Sequence, residues 1–165
     1  MATLEWLPPL VPLSDYDGDW NRFVEAIYRI YKHDFVEDPP SFARLSVRRQ
    51  VLPVDQGKEA TFWHLISEGP NEENRTPDLR RCERIRWPRP IIAHSGEPPL
   101  KVWQNVRDRG PRVCIWLEDI DYLVILARRE RYVVLLTAYP VTRAHHKEKL
   151  RREYEAYTKT KAAPY

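Results

Sequence analysis

Apolar side chains recur every three to four residues from position 20 to 36, with Phe23, Ile27, Ile30 and Tyr31 on one face. That period predicts an amphipathic helix. Asp19 stands where a capping carboxylate is needed, and Pro39-Pro40 stops the run. Residues 44–54 alternate apolar and charged sites and predict a strand, followed by a Gln56-Gly57 turn. Residues 60–67 (ATFWHLIS) read as a second strand by composition, which would put Phe62 and His64 on one face. A polar loop over 68–76 leads into a short helix over 77–87, with Thr76 as cap and Pro88 and Pro90 as stop. Leu79, Cys82 and Ile85, with Arg86 next to them, would form its inward stripe.

The second half is more regular. Residues 101–106, 112–118, 122–128 and 131–139 are four strand-like runs, the last three divided by the short turns 119–121 and 129–130. Turns that tight predict an antiparallel meander. A closing amphipathic helix over 143–158 turns Leu150, Tyr154 and Tyr157 inward. Residues 1–13 hold three prolines, Trp6 and four leucines, which reads as an extended arm laid across the body. The class is therefore α+β: a Pro-rich arm and N-terminal helix, a short basic helix, a four-stranded antiparallel meander sheet and a C-terminal helix. No internal repeat is present.

The length of 165 residues fits one domain, and 42% hydrophobic residues exclude a disordered chain. The longest purely apolar stretch, 122–127, is too short to span a bilayer. The first 25 residues lack a basic start followed by an apolar run, so a cytoplasmic protein is expected. Cys82 and Cys114 are far apart and read as buried, reduced thiols rather than a disulfide scaffold.

Charge divides the chain. Residues 1–43 carry three basic side chains against eight acidic ones, and the rest carries 24 against 16. The division is an acidic flank (1–43, arm and helix) on a basic α+β body (44–165), and a basic body suits a polyanion. Arginine supplies 20 of the 27 cations, and its planar fork grips phosphate oxygens in pairs.

Three islands can carry chemistry. The first is His64, a proton-transfer group near neutral pH, although a lone histidine is more often a structural one satisfied by one hydrogen bond. The second runs from Arg75 to Arg89, with six arginines against Asp78 and Glu83. Helical spacing places Arg80, Arg84 and Trp87 on one face, where a phosphate would relieve the repulsion between the arginines and Trp87 could stack a base. The third is Thr137 and Tyr139 on the last strand, followed by Arg143, His145 and His146; a hydroxyl, a phenol and a guanidinium together can bind phosphate. The five histidines fall at no metal-ligand spacing, and there is no glycine-rich phosphate loop and no Gly-x-Ser-x-Gly elbow. No metal and no cofactor are expected.

RNA cleavage fits this inventory, because RNA carries its own nucleophile. His64 and Tyr139 are the candidate proton-transfer groups, and Arg80, Arg81, Arg84 and Arg143 the candidate phosphate clamps. The order of elements, with Phe-Trp-His at 62–64, the run PDLRRCERIRW at 77–87, the meander ending YVVLLTAYP at 132–140 and the basic final helix, resembles the phage and mobile-element branch of the barnase–EndoU–colicin–RelE-like nucleases. The likeness covers roughly residues 55–157. It implies a helical part packed on a four-stranded antiparallel sheet and metal-independent ribonuclease activity, often as a toxin with an antitoxin or immunity partner. Carried over by position, it implies His64, the Arg80–Arg84 cluster with Glu83, Thr137 and Tyr139 as site residues. Two other readings compete: a non-catalytic RNA- or DNA-binding module, and a protein-interaction component of a mobile element. The ribonuclease reading requires His64, the arginine face and Tyr139 to meet in one cleft.

Overall fold

The computed structural model describes residues 4–162. The fold is α+β: a curled, mixed sheet of six strands with helices on both faces. Helix α1 (Trp20–Lys32) starts where Asp19 accepts a hydrogen bond from the Arg22 amide at 3.2 Å, and it buries Phe23, Val24, Ile27 and Tyr31. One wide turn, His33–Glu37, prolongs it to just short of the proline pair. The arm before it, expected over 1–13, lies across the body over its described residues 4–13, and residues 1–3 of it are outside the described residues. The Val11 amide donates to the Glu83 carbonyl at 2.8 Å, and Trp6 stacks on His94 with ring centres 4.5 Å apart.

Strands β1 (Ser41–Phe42) and β2 (Leu45–Arg48) form a small hairpin whose turn residues, Ala43 and Arg44, both have positive φ. The strand expected over 60–67 is instead helix α2 (Ala60–Ile66). Its buried residues Phe62, Leu65 and Ile66 fall three and four apart, which a helix gathers on one side. Its first amides find partners outside the helix: Ala60 donates to the Val51 carbonyl at 3.1 Å and Thr61 to that of Gln50 at 3.0 Å. A short apolar run does not separate helix from strand by periodicity, and these loop carbonyls favour the helix.

The expected helix over 77–87 is also divided. Thr76 and Pro77 are spent on strand β4 (Thr76–Pro77), which pairs with β3 (Ser67–Glu68) and closes a loop between them. The cap is therefore Asp78, which accepts from the Arg80 amide at 2.9 Å and opens helix α3 (Leu79–Glu83). Cys82 and Ile85 are buried as expected, but Leu79 is 42% exposed. Pro88 opens helix α4 (Pro88–Ala93) instead of ending α3, because the first helical position needs no amide donor.

Strands β5 (Lys101–Arg107), β6 (Gly110–Leu117), β7 (Tyr122–Arg128) and β8 (Tyr132–Pro140) form the antiparallel meander. The sheet is wider than four strands, however. β2 adds to β8 in parallel and β1 adds to β2, giving the order β1-β2-β8-β7-β6-β5. Helix α5 (Ala144–Ala162) closes the fold.

Each sheet face has its own core. On one face Val113, Ile115, Val124, Leu126, Val133 and Leu135 pack against Phe23, Ile27, Phe62 and Ile91. On the other, Trp103, Trp116, Leu123 and Ile125 pack under Leu150, with Tyr154 and Tyr157 at the edge. Both cysteines are buried and free. No helix among the described residues is long and apolar enough to cross a membrane.

One irregularity in β8 positions the site. Val133 and Leu135 face the first core, so strict alternation would send Thr137 and Tyr139 there too. The pairing shifts instead: Ile125 faces Thr137 but Leu126 faces Leu135, leaving Leu136 as an extra residue. A one-residue slip moves every later side chain to the other face. Ala138 thus enters the first core, while Tyr139 packs at the margin of the second.

Candidate functional site

The bulge aims Tyr139 at the place where three concavities meet, for its side chain lines all three. Its ring is flanked by two cationic or potentially cationic groups. The Arg81 guanidinium lies over it at 5.0 Å, and the His146 ring stacks beside it at 6.0 Å. Burial raises the Tyr139 phenol above its ordinary range, against the pull of Arg112, Arg81 and Arg107. The phenol therefore keeps its proton at neutral pH, which leaves it able to donate.

His64 reaches the same cleft from the last turn of α2. β2 leaves the sheet after Arg48, so the end of β8 is open along one edge, and α2 packs there. Thr137 fixes the contact: its hydroxyl donates to the His64 carbonyl at 2.9 Å. The imidazole Nε2 pairs with the Glu72 carboxylate, and the ring is 15% exposed. A histidine so paired is held in one orientation. Among the described hydrogen bonds its Nδ1 has no partner.

Arg81 and Arg75 meet behind these two groups. Arg81 Nη1 donates to the Ser67 carbonyl at 2.8 Å, and Arg75 Nη2 donates to the same oxygen at 2.6 Å. Two guanidiniums on one carbonyl repel each other; burial lowers the Arg75 pKa, and Arg81 lowers it further. Arg81 also has Glu68 at 3.7 Å and Asp78 at 3.8 Å, and its buried Nε makes no hydrogen bond.

The loop between β3 and β4 supplies Glu72 and Arg75. It depends on Gly69, where a Cβ would collide with the Asn74 carbonyl oxygen and come within 2.8 Å of the Arg75 Cα.

The residues singled out from sequence thus divide. His64, Arg81, Thr137 and Tyr139 line one cleft. Arg80, Arg81, Tyr139 and Arg143 line the concavity next to it, with His145, His146 and Lys149. Glu83, Arg84 and Trp87 line neither concavity. Trp87 is 8% exposed and its indole donates to the Pro8 carbonyl at 2.8 Å, so it offers no face for a base. Arg84 lies over the Trp87 ring at 5.1 Å and donates to the Arg80 carbonyl, while the Glu83 carboxylate is 4.0 Å from Arg84. The acidic flank lines neither concavity.

Arg109, Arg112 and Arg129 also line the cleft and were not singled out. Their signal was present: a meander places its first and third turns at the same end, and both turns are arginine-rich. Among the described residues no cluster of three His, Cys, Asp or Glu side chains is placed to hold a metal ion.

A scan against protein-family models and searches of curated proteins and of solved structures find no match for this chain.

Proposed function

We propose that this protein is a metal-independent endoribonuclease. The observation that carries the reading is the meeting of an imidazole, a protonated phenol and a guanidinium, His64, Tyr139 and Arg81, around one basic cleft. The resemblance to the barnase–EndoU–colicin–RelE-like nucleases names His64, Thr137, Tyr139 and the Arg80–Arg84 cluster with Glu83; of these His64 is on a helix rather than a strand, and Glu83 and Arg84 line neither concavity.

RNA needs little else from a protein. His64, oriented by Glu72, takes the proton of the ribose 2′-hydroxyl. The 2′-oxygen attacks the adjacent phosphorus, and Arg81 offsets the charge that develops on the phosphoryl oxygens. The bond to the 5′-oxygen breaks, and Tyr139 gives that oxygen its proton. The products are a 2′,3′-cyclic phosphate and a 5′-hydroxyl; the proton on His64 then returns to Tyr139 through solvent. Thr137 is a positioning residue in this scheme, because its hydroxyl is engaged with the His64 carbonyl.

The test is incubation of purified protein with total RNA in EDTA, beside His64→Ala and Tyr139→Phe. Cleavage leaving 2′,3′-cyclic ends, lost in both variants, is the expected result. Folded protein that binds RNA and leaves it intact overturns the enzyme in favour of a binding module. Folded protein that does neither moves the search to a protein partner.

A further inference from the structure

The catalytic reading leaves most of the cations in the cleft without a role. Concavities of about 740 and 570 Å³ open on either side of the Arg81–Tyr139 pair. The larger runs toward the tips of the β5–β6 and β7–β8 hairpins and carries Arg75, Arg109, Arg112 and Arg129. The smaller runs toward the start of α5 and carries Arg80, Arg143 and Lys149.

None of these seven cations has a carboxylate within 4.0 Å among the described residues, unlike Arg81 between the two concavities, which has Glu68 and Asp78. The acidic groups at the rim are already engaged: Glu68 and Asp78 face Arg81, and Glu72 faces His64. Arg75 and Arg81 even share one carbonyl. With Arg81 the two concavities hold eight cations against these three carboxylates, and an excess of one sign in a concave surface repels itself and concentrates a polyanion.

We propose that the two concavities are the arms of one trough, which carries a single-stranded nucleic-acid backbone across Tyr139 with phosphates held on both sides of the reacting one. The proposal rests on reading the site as one for a nucleic acid, but not on cleavage. A single strand is specified because Tyr139 is half-buried at the junction, where a flexible strand can dip and a paired, stiff one cannot. Recognition is through phosphates rather than bases: Tyr139 is the one Phe, Tyr or Trp lining either arm among the described residues, and Trp87 is sealed under the arm at the N-terminus. Sequence preference is accordingly weak.

The test uses fluorescent DNA oligonucleotides of two to ten nucleotides, which lack the 2′-hydroxyl and cannot be cut by the proposed route. Anisotropy is measured over a range of salt. Affinity should rise with length until both arms are filled, with log K falling against log[salt] by about 0.7 per phosphate held. Arg109→Gln with Arg129→Gln, at the hairpin tips, should weaken a ten-nucleotide strand and reduce the salt slope by about 1 to 2. Arg143→Gln with Lys149→Gln, in the other arm, should do the same, and the two pairs should add. Affinity that stops rising at two nucleotides, or that depends on one pair only, overturns the trough even if the protein cuts RNA. Length-dependent binding that needs both pairs supports the trough even if RNA is left intact, in which case only the ribonuclease reading fails.

Discussion

The Thr137 hydroxyl donates to the carbonyl oxygen of His64 at 2.9 Å, joining residues 73 positions apart. One is at the bulged end of the last strand and the other in the last turn of a helix. The bond ties the backbone that carries the imidazole to the strand that carries Tyr139, so the two proposed proton-transfer groups share one support. Thr137→Val keeps the shape and removes the donor. Urea unfolding should show a loss of about 1 kcal/mol, the net worth of one such bond. RNA cleavage should slow as well, and Thr137→Ser should restore both.

Tyr139→Phe separates the ring from its hydroxyl. The ring still lies beside Arg81 and His146, so folding and binding of an uncleavable strand should be unchanged. Cleavage should fall by about 10²- to 10⁴-fold, the usual share of a general acid. Burial holds the wild-type phenol above its ordinary range, so the alkaline limb of the pH–rate profile belongs above that range. A Phe variant that cuts at the wild-type rate removes Tyr139 from the chemistry.

His146 should report both pH and ligand. Burial lowers its pKa below the ordinary 6.5, and Lys149 adds repulsion. The unfolded chain therefore takes up a proton before the native one does. His146 contributes no instability above pH 6.5, and native stability declines as pH falls from 6.5 through the lower native value. His146→Gln should flatten that part of the stability curve. A phosphate backbone in the trough offsets the repulsion, so the imidazole resonances should titrate at higher pH with an oligonucleotide bound.

Gly69→Ala should disrupt the site from outside it. The added methyl meets backbone, which cannot swing aside, so the loop carrying Glu72 and Arg75 must move. A loss of about 1 to 3 kcal/mol is expected by calorimetry, together with weaker oligonucleotide binding. Gly96→Ala is the control, since nothing lies within 4 Å of a Cβ there, and it should be neutral in both measurements.

Trp87 tests whether the arm is a clasp. Trp87→Phe removes the bond to the Pro8 carbonyl while keeping most of the packing on Tyr122. Limited proteolysis should then cut within residues 4–12 sooner, and oligonucleotide affinity should not change. A loss of affinity would return Trp87 to the binding surface.

Much of this fold was legible along the chain. Asp19 marked the start of α1 because a carboxylate there meets a free amide, and Pro39-Pro40 bounded its end. The meander was legible because its turns are short and its strands alternate or run apolar. Leu150, Tyr154 and Tyr157 marked the inner face of α5 by spacing alone. The parallel pairing of β2 with β8 was not, since its partners, Val47 and Val133 among them, are more than 80 residues apart and no turn joins them. The helical state of residues 60–66 was not legible either, because it depends on the Gln50 and Val51 carbonyls.

By itself the sequence determined the α+β class, the basic body and the residue types from which a site could be made. These are local properties: period, turn chemistry and charge count. Tertiary structure decided which of those residues meet. A single extra residue at Leu136 turned Thr137 and Tyr139 away from the core where Val133 and Leu135 point. Folding of the 67–77 loop brought Glu72 to His64 and set Arg75 beside Arg81, while the arm covered Trp87. A bulge and a cover of this kind are selected by packing over the whole sheet, where one residue of register moves every later side chain to the other face.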